Sequence, residues 1–172
     1  MLTSLALVSA LISSAQDPMM PPLPKAELDA LSFLTGRYRG TGTGSDPTGK
    51  AMKMTGTSNG VMEFDRWLNL ESSYDMGDGG KLNGRFSVTY NASKKRYDGV
   101  WCDNMSETPM KASGYIEGKY LVMFSEEFEM APGQKTTFKI VYSKESSRAY
   151  NFSIKMKAEN AWVPLMTMNY KK

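Results

Sequence analysis

From Tyr90 onward, apolar and polar residues alternate along the chain and are interrupted at short intervals by turn-forming residues. The segment Arg148 to Lys157 shows the pattern most clearly. Tyr150, Phe152, Ile154 and Met156 share one parity, and Asn151, Ser153, Lys155 and Lys157 share the other. A strand turns successive side chains to opposite faces, so this one has a dry face and a wet face. The same reasoning predicts strands at about 37–43, 50–57, 61–74, 82–90, 95–103, 109–116, 119–130, 134–143, 147–158 and 161–170. Between them Asp46-Pro47-Thr48-Gly49, Asn59-Gly60, Gly77-Asp78-Gly79-Gly80, Pro132-Gly133 and Glu159-Asn160 carry the residues that reverse a chain. Pro164 has no N–H to give a ladder, so it belongs at a bulge or at the start of its strand.

Connections this short favour antiparallel neighbours. The expected fold is all-β, an antiparallel up-and-down β-barrel of about ten strands that buries one face of its sheet. Ahead of the strands, Leu28, Leu31 and Leu34 recur at helical spacing and Gly36 is placed to stop a short helix.

The first residues stand apart from this pattern. Leu5 to Ile12 is an apolar run too short to span a bilayer, and the small residues Ser13-Ser14-Ala15 follow it. Residues 1–15 therefore read as a signal peptide, although no Lys or Arg precedes the run. Residues 16–24, rich in proline, read as a mobile leader, and 25–172 as a single β-barrel domain. The expected location is secreted or periplasmic, with no stable membrane insertion after signal cleavage.

Composition removes several classes of function. Net charge is only +3 and the lysines are spread along the wet faces, so no concentrated basic face marks a nucleic-acid partner. Cys102 is the single cysteine and forms no internal disulfide; beside Trp101 it reads as a small packed hydrophobe. The chain has no histidine, which removes Ser-His-Asp and Cys-His catalysis, histidine-ligated haem and ordinary zinc sites. No cofactor and no metal are called for. Fourteen methionines are many for this length. Met52 and Met54 share one strand face, as do Met166 and Met168; thioethers suit cuprous ion, but also serve as flexible filling or as a plastic pocket wall.

Gly36-Arg37-Tyr38-Arg39-Gly40-Thr41-Gly42, directly after the short helix, resembles the opening of a lipocalin-type barrel, with Tyr38 where lipocalins usually carry Trp. A wider similarity adds Arg66-Trp67, Val88-Thr89-Tyr90-Asn91, Arg96-Tyr97, Val100-Trp101-Cys102-Asp103 and the closing Asn169-Tyr170-Lys171-Lys172. In this order the chain resembles the bacterial domain-of-unknown-function family fifteen-seventy-nine, a calycin-like barrel. The resemblance implies the fold and a ligand-binding habit and supplies no activity.

If the dry face is the interior, alternation lines it with Phe86, Val88, Tyr90, Tyr97, Trp101, Tyr120, Val122, Phe124, Phe138, Ile140, Tyr142, Tyr150, Phe152, Ile154, Met156, Trp162, Met166 and Met168. Three charged residues fall on the same parity as apolar neighbours: Arg66, Asp103 and Glu126. A charge inside a barrel must be paired, hydrated or bound to something. One reading is a structural pair of Arg66 with a carboxylate. Another is a small apolar ligand anchored by Arg66, Asp103 and Glu126 against a wall of Trp101, Tyr142, Met166 and Met168. An alternative makes Asp103 and Glu126 the acid and base of a carboxylate-based enzyme. A third reading is an envelope or interaction module with a filled barrel. There Leu121, Met123, Val141, Val163 and Leu165, on the wet parity, would be covered by the N-terminal helix or by a second copy in a homodimer.

Overall fold

The structure is a computed structural model that describes residues 22–45, 49–131 and 133–172, without the side chains at 78, 130 and 131. The segment expected to be a signal peptide, most of the expected leader, and the turn residues Asp46-Pro47-Thr48 and Pro132 lie outside the described residues. The strands are β1 (Gly36–Ser45), β2 (Ala51–Glu63), β3 (Trp67–Asp75), β4 (Lys81–Asn91), β5 (Arg96–Asp103), β6 (Met110–Glu117), β7 (Tyr120–Ser125), β8 (Phe128–Ala131), β9 (Gln134–Thr136), β10 (Phe138–Ser146), β11 (Ala149–Ala158) and β12 (Ala161–Lys171). Ten of them close into one antiparallel barrel, each beside its neighbour in the chain, with β12 returning to β1. The remaining two, β8 and β9, form a separate hairpin inserted between β7 and β10.

Inward parity builds the core. Tyr142 lies opposite Phe152 across β10 and β11, their ring centroids 5.0 Å apart, and Tyr38 meets Tyr150 edge-on at 4.8 Å. Edge-on and offset ring pairs add to the stabilisation that their burial already gives. At Pro164 the register of β12 shifts between Ile154 and Lys155, leaving Leu165 unpaired, which is the bulge its missing N–H requires.

Burial also controls the chemistry of these rings. It pushes Tyr97 up to about 12 and raises Tyr74, Tyr142, Tyr150 and Tyr170 above the usual tyrosine value. An unfolded tyrosine ionises near pH 10, so above that pH the unfolded chain holds fewer protons than the folded one. The stabilisation is complete below about pH 10 and is lost as pH rises through the folded-state values. In an alkaline titration followed at about 295 nm, these five hydroxyls are expected to ionise together with the loss of the circular-dichroism signal. Smooth ionisation of all nine tyrosines with that signal intact would contradict the buried cluster.

The N-terminal segment is a plug. A single helical turn, α1 (Lys25–Asp29), and a 3-10 turn at Ser32–Leu34 bury Leu28, Leu31, Phe33 and Leu34. Two wall tyrosines hold its backbone: Tyr38 Oη donates to the Phe33 carbonyl at 2.7 Å, and Tyr97 Oη to the Glu27 carbonyl at 2.8 Å. The leucines thus fill one end of the barrel; they do not cover its outer face.

Several expectations are corrected. Asn59-Gly60 is not a turn, because β2 runs on to Glu63. The hairpin turns instead at Phe64 and Asp65, both left-handed (φ 54° and 52°), and the Arg66 N–H closes it onto the Glu63 carbonyl at 3.0 Å. Gly60 is glycine for another reason: a Cβ there would lie 2.0 Å from the Leu34 carbonyl oxygen of the plug. On β7 the inward residues are Leu121 and Met123, opposite Tyr142 and Ile140, and both are fully buried. Tyr120, Val122 and Phe124 face outward, and Phe124 packs outside against Trp162, ring centroids 5.8 Å apart. The expected outer patch therefore loses Leu121 and Met123 to the core, and Leu165 turns to the inside as well. Cys102 is exposed on the outer face of β5.

Candidate functional site

The barrel has unequal ends. The turns β2–β3, β4–β5, β6–β7 and β10–β11 surround the plug, whereas β3–β4, β5–β6, the β8–β9 hairpin and β11–β12 surround an opening. Beneath this opening lies a cavity of about 400 Å³. Its deeper wall is Tyr74, Phe86, Phe138, Ile140, Tyr142 and Phe152, and its mouth is formed by Met52, Met76, Met105, Phe128, Leu165 and Met166.

Alternation explains the wall. Gly44 on β1 lies between Met52 of β2 and Met166 of β12, so two thioethers flank a stretch of bare backbone. Trp101 on β5 faces inward opposite Phe86, and its indole lies flat over Gly84, where a Cβ would come within 2.2 Å of the ring. The indole Nε1 donates to Asp103 at 2.5 Å. Asp103 also accepts from the Met105 N–H at 2.8 Å, the Ser106 N–H at 2.7 Å and the Ser106 hydroxyl at 3.2 Å. Its carboxylate is the organiser of the β5–β6 loop. Asn104 fixes that loop to β4, accepting from the Asn83 N–H at 2.7 Å and donating to the Lys81 carbonyl at 3.1 Å.

Of the residues singled out from the sequence, Trp101, Asp103, Tyr142 and Met166 come together around the cavity. Met168 is buried one layer deeper, against Gly42 and Gly56, and does not line it. Arg66 sits at the opposite end, its carbonyl accepting from the Thr89 hydroxyl at 2.7 Å, and its neighbour Phe64 is 88% exposed. The inward parity expected for Arg66 is lost because the left-handed turn precedes it. Glu126 is exposed after the end of β7, where its N–H donates to the Lys111 carbonyl at 2.9 Å. No ion pair joins Arg66 to Asp103 or Glu126, and the two carboxylates do not converge on the cavity. Sequence parity did not reveal Met76, Met105 or Phe128, which stand in or beside loops.

Polar groups are few but informative. Tyr142 is 5% exposed, lines the cavity and has no hydrogen-bond partner for its hydroxyl among the described residues. Deeper still, the Tyr170 and Ser58 hydroxyls are buried without a partner. The hydroxyls of Tyr74 and Tyr150 approach them outside hydrogen-bonding geometry. Among the described residues no cluster of carboxylates and thiols is arranged to hold a metal ion.

A wide, shallow concavity on the outer face of β1 to β5 carries Arg37, Arg39, Arg85, Glu71 and Lys171. It is larger than the interior cavity but open to solvent, and Arg85 already pairs with Glu71 at 2.6 Å. The interior cavity is the better enclosed site.

The barrel is similar to solved structures. The crystal structure of Rv2717c from M. tuberculosis superposes with a TM-score of 0.63 at 14% identity, covering 85% of this chain and 96% of that one. The S-type phycobiliprotein lyase CPES from Guillardia theta gives a TM-score of 0.50 at 8% identity, covering 87% and 95%. At these identities the likeness is one of fold. No curated protein matches the sequence significantly. The family model described as protein of unknown function (DUF1579) matches residues 23–172, from just before the plug to one residue past β12. The chain belongs to the DUF1579 family.

Proposed function

We propose that this protein is a non-enzymatic carrier or sensor that binds one small lipophilic molecule inside its barrel. The observation that supports this is the cavity of about 400 Å³, walled by aromatic, aliphatic and methionine side chains at the end the plug leaves open. A site of this size and composition takes a molecule of roughly 15–20 non-hydrogen atoms at ordinary packing density. Methionine suits such a wall because its unbranched thioether chain adapts to differing shapes. The sequence of residues 1–15 supports a secreted or periplasmic setting, and the family match begins only at residue 23.

A lipophilic fluorescent probe is expected to bind with a stoichiometry near one and to change tryptophan emission, because Trp101 lines the cavity. Trp101→Phe removes most of the emission change while binding persists. At a hundredfold excess over Kd the ligand stabilises the fold by about 2.7 kcal/mol, a clear rise in Tm. A panel of steroids, fatty acids and aromatic probes that leaves emission and Tm unchanged would refute the reading.

A further inference from the structure

The cavity is more selective than its apolar wall alone implies. Its lining contains neither lysine nor arginine, and its single charged side chain, Asp103, spends both oxygens on Trp101, Met105 and Ser106. The rim around the mouth carries both signs: Glu107, Glu126, Glu129 and Glu159, and also Lys50, Lys81 and Lys157, all exposed. Nearby Lys135 lies 3.7 Å from Glu127, which offsets its charge. A ligand carboxylate passing this mixed rim would lose its hydration and meet no cation among the residues that line the cavity. Yet the wall is not wholly apolar. Tyr142 contributes a hydroxyl that makes no hydrogen bond among the described residues, flanked by Tyr74 in the same wall. The Tyr142 hydroxyl is not among the fully buried, partnerless groups of the core, so it stands at the cavity as a free hydrogen-bonding point for a ligand's polar atom.

We infer that the ligand is an uncharged lipophile with one hydrogen-bonding group, a hydroxyl, carbonyl or ether, that is seated on the Tyr142 hydroxyl. This rests on the reading of the cavity as a ligand site and names the class of molecule it takes. Tyr142 both donates and accepts through one oxygen, so it suits either a hydroxyl or a carbonyl. Because burial keeps Tyr142 protonated, it remains a donor throughout the neutral range. A fatty-acid anion is excluded by the same arrangement, since the hydroxyl provides no countercharge.

Three ligands of matched shape test this by isothermal titration calorimetry near pH 7.5: octylbenzene, 4-octylphenol and 4-octylbenzoate. The phenol is expected to bind about tenfold more tightly than either the hydrocarbon or the anion. Tyr142→Phe should lower phenol affinity by about tenfold and leave octylbenzene unchanged. The variant is expected to fold with an undiminished Tm, because the lost hydroxyl made no hydrogen bond. The wild-type ranking of the three ligands stands as a measurement independent of the variant. If none of the three binds, the proposed ligand site itself fails. If 4-octylbenzoate binds as tightly as the phenol, or if Tyr142→Phe shifts phenol and hydrocarbon equally, the site stands and the inference is overturned.

Discussion

Leu31→Ala and Leu34→Ala are each expected to lower the stability of the barrel by about 3 kcal/mol, with a fall in Tm of about 6–12 °C. Both leucines are fully buried in the plug. Each truncation loses the transfer of three buried carbons and leaves a void that the closed strands around it cannot collapse to fill. The loss extends beyond those two side chains, because the plug backbone is part of the same unit. Its carbonyls at Glu27 and Phe33 are the acceptors for Tyr97 and Tyr38, and Phe33 packs edge-on against Tyr150 at 6.3 Å. Deleting residues 22–35 would leave those two hydroxyls unpaired and open the core to water at that end, so a larger loss is expected. Urea denaturation of the three variants checks the order. A deletion variant with an unchanged midpoint would show that the barrel is stable unplugged, and would make the plug a detachable element.

The plug also shows what one sequence can and cannot reveal. Leu28, Leu31 and Leu34 were readable as a helical stripe, but spacing says only that they are buried, not against what. Inside the barrel end and against its outer wall are equally dry places. The apolar run Tyr120-Leu121-Val122-Met123-Phe124 failed for a related reason. Alternation assigns a face only where one parity is polar, and here both are apolar. The bulky aromatics point outward, and the pairing of Leu121 with Tyr142 decides the matter. By contrast, β11 alternates cleanly, and its inward Tyr150, Phe152 and Ile154 are placed as the pattern predicts. Asp103 lies beside the cavity, where its carboxylate is taken up by the loop that follows it. Its four donors come from within three residues of itself, a local turn that parity does not register.

The glycines of β1 carry the most direct link from sequence to closure. Gly40, Gly42 and Gly44 alternate with Thr41 and Thr43, so the inner wall of this strand is bare. Each is covered by a side chain from a neighbouring strand: Tyr170 over Gly40, Met168 over Gly42, Met54 over Gly44. At Gly42 an added Cβ would also lie 1.9 Å from the backbone oxygen of Thr167, on the strand that closes the barrel. A backbone atom cannot rotate away as a side chain can. Gly42→Ala is therefore expected to cost about 3 kcal/mol or more, by forcing β12 off β1. Thr41→Val, one residue away on the exposed outer face, should stay within about 0.5 kcal/mol of the parent. The same seam carries Gly44 and Met166 into the cavity, so the Gly42 variant should also bind the lipophilic probe more weakly at temperatures where it remains folded. Chemical denaturation and probe titration of the two variants decide the point. Equal stability of Gly42→Ala and the parent would mean that the β1–β12 seam yields to an added methyl, and the bare wall of β1 would then need another explanation.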